Sequence, residues 1–249
     1  MSFEYSPPAY EIKMGSGGLR ARIDRQGGYV QTLSRADGTP ILYGAITPDG
    51  KRRATHVCVP NFGPDARGEL HQHGFGRETV WTQEVMSEED DATQLRLTHT
   101  VDVGEYTGLH MGLDYTITSD SFTMSLNCQN NSDQPLRLAP GFHPYFALPT
   151  GVETVTVDGR SYRIDELAEA KFQCTETGHV AVEFGQDQGS LRLETILREL
   201  ALWSGDSARY VCIEPTYSGA SFAATTTPPA EELLAPGEDC HYYVTILTS

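Results

Sequence analysis

Residues 71–81 read HQHGFGRETVW. Two histidines stand two apart, so on an extended strand His71 and His73 would share a face. Arg77 and Glu78 follow within one short loop length. Residues of these types can hold a metal, act on a substrate, or punctuate a turn. A metal reading takes His71, His73 and Glu78 as three ligands, with His143 from a later strand completing three histidines and a carboxylate. That set suits iron, manganese or nickel. The spacing is that of the first ligand set of cupins, which are β-barrels. Cupins also carry glycines at set distances on both sides, and here those positions are Asp65 and Val85. The pattern is therefore incomplete, and no metal is expected. A polar-loop role suits His71 better than His73.

Composition narrows the partners. The chain has 249 residues, a formal net charge of −16 and 39% hydrophobic residues. A chain this acidic repels nucleic acid and anionic membranes. Its only lysines are Lys13, Lys51 and Lys171 among 18 basic residues. The rest are arginines, whose planar forks suit carboxylates, phosphates and sugar hydroxyls. The acidic run SEEDD at 87–91 reads as a solvated hairpin tip. Cys58, Cys128, Cys174, Cys212 and Cys240 are widely spaced with no CxxC pair. They read as reduced, mostly core residues of a cytoplasmic protein. The opening residues MSFEYSPPAY have neither the basic nor the apolar region of a signal peptide. No apolar run reaches membrane-spanning length.

The elements that must position these side chains are strands. YVQTLS, TQLRLTHTVDV, SFTMSLNCQN, HVAVEFG, RYVCIEP and HYYVTIL are short, rich in Val, Ile, Thr, Tyr and Phe, and bounded by Gly, Pro, Asn, Asp or Ser. IDELAEAKF (164–172) predicts one or two helical turns, and LETILREL (193–200) is ambiguous. The expected architecture is all-β: a large antiparallel β-sandwich of about fifteen or more strands. No break in strand style exceeds a normal loop, so residues 1–249 are expected to form one domain.

PNFGPDARGELHQHGFGRETVW (60–81) resembles the aldose 1-epimerase, or galactose mutarotase-like, superfamily, near its glucose-6-phosphate 1-epimerase-like branch. The carriers are Pro60, Phe62 and Gly63, then His73, Gly74, Phe75 and Arg77, with Gly76 for the usual Ala, then Trp81. PGFHPYFAL (140–148) resembles the G-x-H-x-Y-F segment. RYVCIEPTYSG (209–219) resembles the V-C-[IV]-E-P segment, and LLAPGEDCHYYVTI the closing L-x-P-G-E and final strand. LRARIDRQGGYVQTLSRADGTPILYG looks like the opening hairpins. The blocks span nearly the whole chain in order. Arg52 lies where relatives carry R-G-G, but here the text is R-R-A.

The resemblance implies a supersandwich fold and a cofactor-free aldose 1-epimerase, a mutarotase interconverting the anomers of a hexose. Ring opening needs a base at the anomeric hydroxyl and an acid at the ring oxygen. On that match Glu214 is the base and His143 the acid, with His73 a second imidazole at the ring oxygen or a nearby hydroxyl. Pro215 favours extended backbone at Glu214, and partial burial would hold its carboxyl near or above the usual range. Arg77, Arg67 and Arg52 are candidate substrate-binding residues, as are Asp158 and Asp165 in VDGRSYRIDEL. Trp203 reads as core. Free hexose and hexose 6-phosphate both remain open, with the balance on free or broadly accepted aldoses. The expected partner is a small sugar, acted on by a monomer or weak homodimer. A non-catalytic carbohydrate-binding sandwich is the alternative.

Overall fold

A computed structural model describes residues 9–13, 18–47, 50–89, 91–176, 178–185, 189–219, 222 and 226–248. Two large antiparallel sheets dominate. The nine-stranded sheet runs, edge to edge, through Arg160–Arg163, Thr154–Val157, His179–Phe184, Ser190–Thr195, Asp239–Leu247, Ser121–Asn130, Leu109–Ile117, Thr93–Thr100 and Thr82–Glu88. Its long strands alternate: Phe122, Met124, Leu126 and Cys128 are buried while the residues between them are partly exposed. That period of two is what a sheet with one core face requires.

The ten-stranded sheet behaves differently at its centre. Its path runs from Ala9–Lys13 through Arg20–Asp24, Tyr29–Ser34, Pro40–Leu42, Tyr145–Ala147, Tyr210–Thr216 and Gly141–His143 to His56–Cys58. Glu199–Trp203 joins the other side of Tyr210–Thr216, and Lys171–Cys174 joins Glu199–Trp203. Every residue of Tyr210–Thr216 is buried. One face, Val211 and Ile213, packs into the main core with Phe142, Phe146, Leu126 and Val244. The other face carries Tyr210, Cys212 and Glu214, covered from outside by aromatic rings.

Two local readings are sharpened. Residues 164–172 form a 3₁₀ turn, Ile164–Ala168, and then the strand Lys171–Cys174. Ile164 and Leu167 are buried as anchors, and pairing with Glu199–Trp203 outcompetes a second helical turn. Residues 193–200 are likewise split between the strands Ser190–Thr195 and Glu199–Trp203. The acidic run joins the paired strands Thr82–Glu88 and Thr93–Thr100 as a hairpin, and Asp90 lies outside the described residues. Cys58, Cys128 and Cys212 are buried, Cys240 is partly buried and Cys174 is exposed. Among the described residues no helix is long and apolar enough to cross a membrane.

The 59–81 segment is pinned by close backbone approach. Gly74 has φ 63, and a Cβ there would stand 2.1 Å from the Val59 carbonyl oxygen. Gly50 has φ 78 but open space around the same position. Gly50→Ala should therefore cost only the left-handed penalty, about 1–2 kcal/mol. Gly74→Ala should cost more than Gly50→Ala, because the backbone must also shift. Urea unfolding of the two variants checks this, and equal losses would contradict it.

Candidate active site

A single cross-strand row builds the floor of a cavity. Reading across five adjacent strands, Phe172 stands opposite Ala201, and Ala201 opposite Glu214. Gly141 pairs with both Thr216 and Cys58, and His143 stands opposite His56. Continuing the antiparallel register brings His143 beside Glu214. Phe172, Ala201, Glu214, His143 and His56 all line one cavity of about 700 Å³, within the range of small-molecule sites. Tyr145 and Trp203, each opposite Cys212, line it from the next row. The methyl of Ala201 leaves room above Glu214 that a larger side chain would fill.

His73 reaches the same cavity from a loop. Its backbone N–H donates to the Phe62 carbonyl at 3.1 Å, and Gly76 N–H to the Val59 carbonyl at 3.0 Å. The fully buried Trp81 donates Nε1–H to the Gly76 carbonyl at 3.0 Å. A Cβ at Gly76 would meet Val59 Cγ1 at 2.4 Å, which accounts for glycine where alanine is usual. His73 itself has φ 69, a left-handed backbone uncommon outside glycine. Such outliers persist where the surroundings enforce them, often at functional sites.

The side chains meet closely. His143 Nε2 lies 3.3 Å from Glu214 Oε2, and the two residues are 4% and 2% exposed. His143 stacks on Tyr145 at 4.6 Å and on His56 at 4.9 Å, and His73 meets it edge-on at 5.0 Å. Nδ1 of His56 donates to the Ala54 carbonyl at 2.8 Å. Nε2 of His56, Nδ1 of His73 and Nδ1 of His143 meet no hydrogen-bonding partner among the described residues.

Burial sets the charges. It pushes Glu214 well above the carboxylate range. It also pushes His56 down to about 3 and His73 down to about 4, with His143 driven well below 6.5. The Arg77 guanidinium adds to the lowering of all three imidazoles. In this buried floor the raised carboxyl and the lowered imidazole both favour their neutral forms, so a proton shared by the Glu214–His143 pair is biased toward the carboxyl.

The rim is basic: Lys51, Arg52, Arg53 and Arg77 line the cavity. Arg52 binds Asp24 at 3.0 Å and lies over the Tyr29 ring at 4.7 Å. Arg77 donates to the Gln72 carbonyl at 3.0 Å. Arg53 lies over the Trp203 ring at 5.3 Å.

Of the residues singled out in the sequence, Glu214, His143, His73, Arg77 and Arg52 come together at this cavity. Three others do not line it. Arg67 forks onto Glu105 at 3.2 Å and contacts Asp65 and Glu69. Asp158 occupies the turn between Thr154–Val157 and Arg160–Arg163, with φ 48, and accepts from the Ala181 N–H. Asp165 is exposed and paired with Arg163 at 2.6 Å. Trp203 is a half-buried wall of the cavity rather than core.

The cupin-like ligand set is not assembled, because His71 is exposed and does not line the cavity. One other group of possible ligands, His143, Cys212 and Glu214, has its atoms within 4.8 Å of one another. Burial and Glu214 hold the Cys212 thiol well above its ordinary range, which makes it a poor ligand.

The family model for aldose 1-epimerase matches residues 9–200. The chain belongs to the aldose 1-epimerase family. An Escherichia coli K12 protein named "Putative glucose-6-phosphate 1-epimerase" is 29% identical over 147 residues, 58% of this chain and 47% of that protein. The match thus spans about half the length of that curated relative. Among solved structures, a galactose mutarotase related enzyme from Lactobacillus acidophilus superposes with a TM-score of 0.77. The two are 15% identical over 97% of each chain. A galactose 1-epimerase from Lactobacillus acidophilus NCFM gives 0.68 at 14% identity, over 97% of this chain and 98% of its own. These two share the fold of this aldose 1-epimerase family member. Sequence reading missed His56, Arg53 and Tyr29, and its reading of Tyr145 as part of an aromatic platform beside His143 matches the cavity lining. THVCV reads as a core strand, and only the register of His56 against His143 reveals its place.

These charges fix the pH dependence of stability. Unfolded, His56 and His73 titrate near 6.5; folded, they stay neutral far below that. The Glu214–His143 pair holds about one proton in both states near pH 5. The unfolded chain therefore binds about two extra protons there, and these groups should lower stability by about 2.7 kcal/mol per pH unit as pH falls. Above about pH 7 the carboxyl of Glu214 and the buried thiols of Cys58, Cys128 and Cys212 are all raised above their ordinary ranges by folding. Groups raised on folding hold their protons more tightly folded than unfolded, so stability should fall as pH rises there. Urea unfolding at pH 5, 6.5 and 8 should show the maximum near 6.5. Glu214→Gln should reduce the alkaline decline, and an unchanged decline would contradict the assignment.

Proposed function

We propose that this protein is an aldose 1-epimerase acting on a hexose, with Glu214 and His143 as its acid–base pair. The observation that carries this reading is their 3.3 Å contact on the buried floor of the cavity. Ring opening takes one proton from the anomeric hydroxyl and gives one to the ring oxygen. The pair holds one proton and one open site for another, which is the inventory the reaction needs. Proton transfer from Oε2 to Nε2 yields a carboxylate and an imidazolium. Glu214 then accepts the anomeric proton while His143 protonates the ring oxygen as its bond to C1 breaks. Rotation about C1–C2 presents the other carbonyl face, and the reverse transfers close the ring. His73 supplies a neutral imidazole for the ring oxygen or a neighbouring hydroxyl. Tyr145, Trp203 and Phe172 offer apolar faces for the ring.

General acid–base groups typically contribute about 10²–10⁴-fold. Glu214→Gln and His143→Asn should each lose roughly that much anomer exchange, measured by polarimetry or NMR, while remaining folded. His73→Ala should reduce kcat strongly and His71→Ala only mildly. Wild-type turnover in Glu214→Gln would refute the mechanism. A wild type that accelerates no aldose would instead indicate a carbohydrate-binding module.

The rim moves the balance from free hexose toward a hexose 6-phosphate. In a chain of net charge −16, Lys51, Arg52, Arg53 and Arg77 converge on one cavity. A phosphate dianion there would gain charge-assisted hydrogen bonds. It would also offset the Arg77 field that disfavours an imidazolium at His143. Relative kcat/KM for glucose 6-phosphate over glucose should exceed about 100-fold, or about 2.7 kcal/mol. That preference should collapse in Arg77→Ala. Equal losses on both substrates would return the reading to free aldoses.

A further inference from the structure

Cys128 and Cys240 stand directly opposite each other on the paired strands Ser121–Asn130 and Asp239–Leu247. Directly opposed residues of antiparallel strands have Cα atoms about 4.5–5.5 Å apart, inside the roughly 4.4–6.8 Å span of disulfides. Their side chains share a face: Cys128 continues the buried series Phe122, Met124, Leu126, and Cys240 begins the series Tyr242, Val244, Ile246. Cys128 is buried, whereas Cys240 is only partly so and is the one an oxidant can reach. Of the remaining cysteines, Cys58 stands opposite Gly141, Cys174 opposite Glu199, and Cys212 between Tyr145 and Trp203. None of these has a cysteine in register.

We propose that Cys128 and Cys240 form a redox pair that closes to a disulfide when a peroxide reaches Cys240. The two thiols are not equivalent. The facing Cys128, helped by Tyr242, holds Cys240 below the usual thiol range, while Cys240 and burial hold Cys128 well above it. Cys240 thus supplies the thiolate nucleophile. Its sulfur attacks one peroxide oxygen, the O–O bond breaks, and the departing hydroxide takes a proton to leave as water. Cys240 is then a sulfenic acid. The Cys128 sulfur attacks the Cys240 sulfur, the S–O bond breaks, and a second water leaves with the Cys128 proton. Two thiols have lost two electrons to one peroxide. The product ties together two strands already paired along their length and needs no change of register. The site lies on the nine-stranded sheet, away from the cavity floor, and does not depend on the catalytic reading.

The test uses the native full-length chain and dilute hydrogen peroxide, followed by alkylation and mass spectrometry without reductant. Free thiols should fall from five to three, with a Cys128–Cys240 linked peptide that dithiothreitol releases. Cys240→Ser should abolish the link. Cys128→Ala, which keeps a small apolar side chain in the core, should leave a Cys240 sulfenic acid that dimedone traps. Over-oxidation of Cys240 in the wild type without a link would overturn the proposal. So would oxidation confined to Cys174, or a link through another cysteine.

Discussion

One contact organises this molecule: a carboxyl and an imidazole held together on a buried cavity floor. The antiparallel register sets Glu214 and His143 in the same row of adjacent strands. Everything around them serves that row. Val211 and Ile213 anchor the other face of the Glu214 strand in the core. Ala201 leaves space above the carboxyl, and the rings of His56 and Tyr145 pack against His143. A rigid strand pair places two reacting groups more exactly than loops do, because backbone hydrogen bonds on both sides fix their separation.

The arrangement is costly to the fold. Burying ionisable groups disfavours their charged forms, and three imidazole nitrogens go unpartnered by protein. His73 adds a left-handed backbone. Hydrophobic burial across the two sheets, from Trp81, Tyr115, Phe122, Phe142 and Phe146 among others, offsets this. A neutral pair sharing one proton is also what reversible proton transfer requires. The features that weaken the fold and those that suit the proposed chemistry are therefore the same.

Charge distribution separates the cavity from the rest of the surface. Lys51, Arg52, Arg53 and Arg77 line it in an otherwise acidic chain. Arg53 stands where the resembling R-G-G motif has glycine, and the altered segment forms a short strand, Arg52–Ala54, paired with Gly44–Ile46. The strand both presents Arg53 to Trp203 and supplies the Ala54 carbonyl that fixes the ring of His56.

The sequence by itself determined the class of fold and the three blocks that carry the site. Alternating apolar residues between turn formers can bury themselves only as strands, and Glu214, His143 and His73 lie in segments whose residue order is distinctive. Only the tertiary structure decided which polar residues meet. Arg67 is drawn off by Glu105, far along the chain and adjacent only once the loops fold. Asp158 is consumed by its own turn and Asp165 by Arg163. His56 and Arg53 enter the site through strand pairing that local pattern does not encode. A strand's own sequence dictates which residues share a face, but its partner and register decide which of them stand side by side.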